Sequence, residues 1–259
     1  MIQLLIQHGA NPLERDNRGV SLLHWAAGSG NLGAVQALLP FFLNDTTTKS
    51  CPTTQQGFFV QTERDGSTPL HWAAAGANAR EFGTGGHLKV CQYILSLQTS
   101  SSTQLSSSSS FSSRAISTTR KLVNQVTRDG NSALMWAAWS GTLETVKFLI
   151  RNRAEHSGAN RNGCTLAHWA ASGGNLEVCQ YLANTVGVDF TAENHGGNTP
   201  LTHAVAFGRK EVVEWLLNDI VNKDDDDVAA SLAMDFVDWT DGQDEKRQAV
   251  LNLFEDWYV

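Results

Sequence analysis

The chain has 259 residues, 41% of them hydrophobic, and a formal charge of −7. That length suits one or two globular domains, or one elongated array. From Asp219 onward twelve acids face three bases, a net of −9, so the remainder carries +2. A body so near neutrality argues against nucleic-acid binding, which needs clustered Lys and Arg.

No apolar run approaches the ~20 residues of a membrane-spanning helix, and no secretory pattern follows Met1. Four cysteines stand far apart, at 51, 91, 164 and 179. Zinc needs ligands bunched at short spacing, so no metal is expected. Cys91 and Cys179 share the context Val-Cys-Gln-Tyr and read as small core residues in a reduced, intracellular protein, cytoplasmic or nuclear.

In chain order, Ile2 to Asn11 reads as one helix whose antiparallel partner is missing, as expected of a fragment of a longer protein. Ser21 to Ala27 and Asn31 to Leu39 form the first full helical pair, followed by an excess of chain at 41–62. Thr68 to Ala74 opens the second pair, with Thr68 as a cap and Pro69 at the first helical position, where its missing N–H costs nothing. An insert at 77–85 separates it from His87 to Leu95. Residues 96–119 are dominated by Ser and Thr and read as a flexible loop, unable to bury enough apolar surface to order itself. Such a loop is a candidate phosphorylation switch beside Arg114, Arg120 and Lys121.

Three further pairs follow: Ser132 to Ala138 with Thr142 to Ile150, Thr165 to Ala171 with Asn175 to Leu182, and Thr199 to Val205 with Lys210 to Leu217. In the second helices apolar residues recur on one face, as in Leu143, Val146, Leu149 and Ile150. Val228 to Trp239 and Gln243 to Trp257 look like two amphipathic helices forming an acidic cap over 219–259.

The first helices share one phrase. Ser-Leu-Leu-His-Trp-Ala-Ala at 21–27 becomes Thr-Pro-Leu-His-Trp-Ala-Ala at 68–74 and recurs, edited, from Ser132, Thr165 and Thr199. A glycine precedes each by two residues: Gly19, Gly66, Gly130, Gly163 and Gly197. The last three lie 33 and 34 residues apart, the period of a helical-hairpin repeat. Here the chain resembles the ankyrin-repeat family. The resemblance implies an all-α ankyrin solenoid: a partial unit at 1–15, five helix-turn-helix units with projecting turns over 16–218, and the acidic cap. One continuous stack is expected, because a long insertion costs little loop-closure entropy and half an array would be marginal.

The recurring His24, His71 and His168 are expected to be structural, since repetition at one phase suits a scaffold rather than a catalytic site. Trp25, Trp72, Trp136 and Trp169 are expected in the core, each indole N–H seeking a partner. Asp224 to Asp227 fit a solvated hinge or a helix N-terminus better than a calcium loop. No phosphate loop, nucleophile elbow or acid–base pair emerges, so neither enzymatic activity nor a cofactor is expected.

What remains is surface. By the resemblance, a partner protein would meet the turn tips and the open end of the first helices. The tips carry Arg18, Arg64, Asp65, Arg128, Asp129 and Arg161, and arginine forms bidentate bonds to carboxylates, which suits an acidic partner segment. Trp139 and Phe207 place large aromatics at the variable pair after the first helix, where hot spots form. The expectation is a monomeric, non-enzymatic interaction scaffold; the rival is a regulatory arm of a larger enzyme whose catalytic part lies elsewhere.

Overall fold

The computed structural model describes residues 2–43, 62, 64–76, 86–100, 120–140 and 142–220. The insert at 77–85, the serine-rich stretch beyond residue 100 and the expected helices Val228 to Trp239 and Gln243 to Trp257 lie outside the described residues. The chain forms two compact units, Met1–Ser140 with Glu144–Glu155, and Gly141–Leu143 with His156–Val259. Residues before and after the serine-rich stretch thus belong to the same unit. The described residues are helical, and their β-pairing is confined to isolated bridges such as Arg15 with Ser21 and Ala159 with Thr165, each closing the base of a turn.

The first unit contains α1 (Ile2–Gln7), α2 (Leu22–Gly28), α3 (Leu32–Leu43), α4 (Pro69–Ala75), α5 (Gly86–Ser100), α6 (Ala133–Ser140) and α7 (Leu143–Arg151), the last in this unit from its second residue. The helices α2 and α4 pack together, as do α4 and α6, so these three form one layer. The second helices α3 and α5 form another. Close approach within the first layer follows from paired alanines: Ala26 and Ala27, Ala73 and Ala74, Ala137 and Ala138 are all buried. Leu23, Leu70 and Leu134 fill the space between the layers with Val35, Val90, Cys91, Ile94, Val146 and Leu149. Each such aliphatic side chain contributes about 1.5–3 kcal/mol. A bulky residue at Ala73 would force the helices apart.

Two helices run further than the sequence pattern indicates. α3 continues through Pro40 to Leu43, and α5 continues to Ser100, past the starts assigned to the 41–62 and 96–119 insertions. After the serine-rich stretch, residues 120–123 make a helical turn with Leu122 and Val123 buried. The Asn124 side chain then donates to the Arg153 carbonyl (3.1 Å) and accepts from the Glu155 N–H (2.8 Å), holding the end of the unit.

The second unit repeats the plan with α8 (Leu166–Gly173), α9 (Leu176–Tyr181), α10 (Pro200–Ala206) and α11 (Lys210–Trp215). α8 packs on α10 and α9 on α11. Its core is Leu166, Ala170, Val178, Cys179, Leu201, Ala204, Val212, Val213 and Leu216, closed by Phe190 edge-on to Trp215 at 5.3 Å. α9 and α11 each end in a widened, π-type turn, Leu182–Val186 and Leu216–Ile220.

The repeated tryptophans are not core residues, which corrects the sequence expectation. Trp25 is 48% exposed, and Trp72, Trp136 and Trp169 are half-buried. The alanine pairs bring the first helices too close for an indole to fit between them. The rings lie instead along the side of the layer, Trp25 edge-on to Trp72 at 5.2 Å and Trp136 edge-on to His71 at 5.5 Å. Edge-to-face pairs of this kind add about 0.5–1.5 kcal/mol beyond area burial.

Candidate functional site

Each first helix opens on a hydroxyl residue, and where the third helical residue is histidine the two are reciprocally bonded. His71 Nδ1 accepts from the Thr68 backbone N–H (3.2 Å) and lies 2.8 Å from its hydroxyl. Ser21 with His24 and Thr165 with His168 repeat this geometry. Imidazole thereby occupies the place that Glu or Gln takes in the usual capping box. With Nδ1 accepting, the ring proton sits on Nε2, which donates to the turn of the following repeat. The acceptors are the Ser67 carbonyl for His24 (3.2 Å), Asn131 for His71 (3.1 Å) and Asn198 for His168 (2.9 Å). The histidines therefore join repeats as well as cap helices, a structural role as expected from sequence.

Burial sets their titration. It pushes His71 down to about 4 and lowers His168, in each case against the bond to the neighbouring carbonyl, which favours the charged ring. Where histidine is replaced, the cap hydroxyl turns to the backbone: Ser132 Oγ accepts from the Met135 N–H (3.2 Å) and Thr199 Oγ1 from the Thr202 N–H (3.4 Å).

The turn tips have their own frame, which the sequence reading passed over. The residue at the base of a tip accepts backbone N–H groups two and four residues on, through Asp16, Asn160 and Asn194. These are Asx-type turns, where a short side chain imitates a backbone acceptor. The signal was in the sequence as Asp or Asn three residues before the motif glycine. The Val20 N–H, ahead of the Arg18 guanidinium, holds the Asp16 carboxyl below the ordinary range. Successive tips are also joined through backbone, Arg128 N–H to the Asp65 carbonyl (2.7 Å) and His195 N–H to the Asn162 carbonyl (3.0 Å).

Of the residues singled out from sequence, Arg18, Arg64, Arg128 and Asp129 are exposed on tips of the first unit, and Arg161 on a tip of the second. Arg18 lies 3.5 Å from Asp16, an exposed pair worth little. Asp65 differs: it is half-buried, and its carboxylate accepts from the Thr62 hydroxyl and the Ser67 N–H. Burial raises its carboxyl, yet these bonds together hold it below the usual range. Asp65 therefore shapes its own turn. Trp139 is 47% exposed near the end of α6, and Phe207 is 52% exposed beyond α10. The structure brings the Arg64–Asp65 and Arg128–Asp129 tips together; Trp139 shares their unit, and Arg161 shares the other with Phe207.

One cluster in the second unit has the residue types of a hydrolytic triad. Ser172 Oγ lies 3.1 Å from His203 Nδ1, and His203 Nε2 lies 3.3 Å from Asn194 Nδ2. The protons run the wrong way for a nucleophile. Ser172 Oγ donates to the His168 carbonyl (2.8 Å), and the Asn194 amide donates to Nε2, so His203 Nδ1 carries hydrogen toward the serine. A general base must accept there instead. Burial, then the neighbouring His168, pushes His203 down to about 4.

Burial raises the Cys91 and Cys179 thiols to about 12, the protonated state of packing residues. Among the described residues no group of three or more His, Cys, Asp or Glu is placed to hold a metal. None of the described helices is long and apolar enough to cross a membrane.

A search of curated proteins returns no match. A family model for ankyrin repeats, in three copies, matches residues 1–106 and 134–227. That match covers most of the chain, and it agrees with the stacked helices, the projecting turns and the capped first helices described above. The chain belongs to the ankyrin-repeat family, with the all-α fold of that family.

Proposed function

We propose that the chain is a non-enzymatic interaction scaffold, monomeric and intracellular, that docks an acidic segment of a partner protein on its turn tips and first-helix face. Ankyrin repeats are generally protein–protein interaction modules, and their domains are typically non-catalytic. The observation that carries the finer reading is Trp139. Ala133, Leu134, Met135, Ala137 and Ala138 of α6 are all buried, whereas Trp139 presents nearly half its surface to solvent on the same helix. The end of that helix is fixed by Ser140 Oγ, which bonds the Ala74 and Ala137 carbonyls at 3.2 and 2.9 Å. A rigid, exposed indole adds little to the fold and much to a contact, since its ordering cost is already met.

Arg18, Arg64, Arg128 and Asp129 supply charge on the tips of the same unit, while Arg161 and Phe207 are offered by the second unit. Asp65 contributes by holding its tip in shape. The test compares proteins retained by the parent, Trp139→Ala and Arg128→Glu chains in an affinity pull-down read by mass spectrometry. Both variants should lose a common partner while helicity and melting stay unchanged. Retention of the same proteins by all three would remove the assignment.

A further inference from the structure

Tryptophan stands at 25, 72, 136 and 169, and the fifth repeat has His203 in that place. The exchange closes a ring of hydrogen bonds. His168 Nε2 donates to the Asn198 carbonyl (2.9 Å), and the Asn198 N–H donates to Asn194 Oδ1 (3.0 Å). The Asn194 amide donates to His203 Nε2 (3.3 Å), His203 Nδ1 to Ser172 Oγ (3.1 Å), and Ser172 Oγ back to the His168 carbonyl (2.8 Å). Each member donates in the same sense around the ring, which leaves each imidazole one tautomer.

Both ends of the Asn194 side chain are fully engaged. Oδ1 accepts from the Gly196 and Asn198 N–H groups at 2.8 and 3.0 Å, which shapes the fifth tip. Nδ2 divides its two hydrogens between His203 Nε2 and Cys164 Sγ (3.4 Å). A proton on His203 Nε2 would point at those hydrogens. Turning the amide over offers Oδ1 to the new proton but sets Nδ2 against two backbone N–H groups, so one bond is gained and two are lost. Neither orientation then suits the turn. The tip also donates the His195 N–H to the Asn162 carbonyl (3.0 Å), so loosening it frees the preceding tip from that link.

We propose that His203 latches the fifth turn tip at neutral pH and releases it in acid, because a proton on Nε2 expels the Asn194 side chain from the turn it shapes. The surroundings oppose that proton. His168 of α8 lies edge-on at 5.0 Å, and Cys164 meets the ring through Asn194. Arg209, just ahead of α11, donates to the Ser172 carbonyl (2.8 Å). On α11 itself Lys210 pairs with Glu214 at 4.0 Å and Glu211 is exposed. Burial, then His168, holds the closed ring at about 4, whereas a ring freed into water titrates near ~6.5. Between those values the open tip binds more protons than the closed one, so falling pH favours opening. A partner held at the Arg161 tip, on the reading above, would be released with it.

Amide hydrogen exchange of the full chain, resolved by NMR at pH 7 and pH 5, tests the latch without a partner, so its failure is separate from a failure of the docking assignment. The fourth tip is the internal control: Asn160 holds the Asn162 and Cys164 N–H groups in the same way, and that repeat carries Trp169 in place of His203. Protection at Gly196 and Asn198, taken relative to Asn162 and Cys164, should fall about tenfold between the two pH values. His203→Gln has no ring to protonate and should keep the ratio constant. His203→Trp, the residue of the other repeats, should do the same and serves if the glutamine variant does not fold. An unchanged ratio in the parent, or a fall of equal size in the variants, overturns the proposal. So does equal loss of protection at both tips, because acid would then be opening the unit as a whole.

Discussion

Acid should weaken the first unit through His71, by an amount that follows from its surroundings. Nδ1 accepts from the Thr68 N–H and Nε2–H donates to Asn131, so a second ring proton would break the Thr68 N–H bond and find only the Thr68 hydroxyl as acceptor. Burial holds the folded-state pKa at about 4, whereas an unfolded histidine titrates near ~6.5. Between those values the unfolded chain binds more protons than the folded one. The stabilisation is therefore complete above ~6.5, falls as pH drops, and is exhausted near ~4. From pH 7 to pH 4.5 the linkage amounts to about 2 kcal/mol.

His71→Met tests this, because methionine already occupies the equivalent place at Met135. The variant loses two bonds and is less stable at neutral pH, but it has no ring to protonate. Urea unfolding followed by circular dichroism at both pH values should show the parent losing about 2 kcal/mol more than the variant. The carboxylates and the other histidines are common to both chains and cancel. Equal losses in parent and variant would refute the reasoning.

Two further predictions follow from geometry alone. Gly163 has φ +79°, and a Cβ there would lie 2.6 Å from the His195 backbone nitrogen, while Gly197, at φ +74°, has open space. Gly163→Ala should cost at least about 2 kcal/mol, left-handed strain plus a backbone clash, and Gly197→Ala about 1–2 from strain alone, read as the difference in urea midpoints. Trp72 Nε1 donates to Ser67 Oγ at 2.9 Å, whereas the buried Trp136 Nε1 has no partner. Trp72→Phe should therefore cost about 1 kcal/mol more than Trp136→Phe, which removes a polar group that was costing stability; equal effects would mean that the indole bond is worth nothing.

The repeat register was readable because hydroxyl, histidine, alanine pair and preceding glycine each have a local physical task. A hydroxyl caps, the alanines let helices approach, and a glycine such as Gly163 adopts a left-handed φ. Tryptophan was misread for the same reason that leucine there would have been read correctly. Helical phase says which side a residue faces, and side-chain length decides whether it fits between helices only ~8–10 Å apart. The Asx turns at Asp16, Asn160 and Asn194 were legible and overlooked. Those residues attract attention as ligands or solvated tips, yet their carboxylate and amide oxygens are spent on backbone N–H groups.

The reach of histidine Nε2 was not legible at all. The acceptors lie 43, 60 and 30 residues downstream of His24, His71 and His168, a scatter imposed by insertions that leave the stacking geometry untouched. Spacing along the chain therefore hides a bond that is constant in space. Partner recognition in this chain is read from a departure within the series, an indole at Trp139 where other repeats carry small residues.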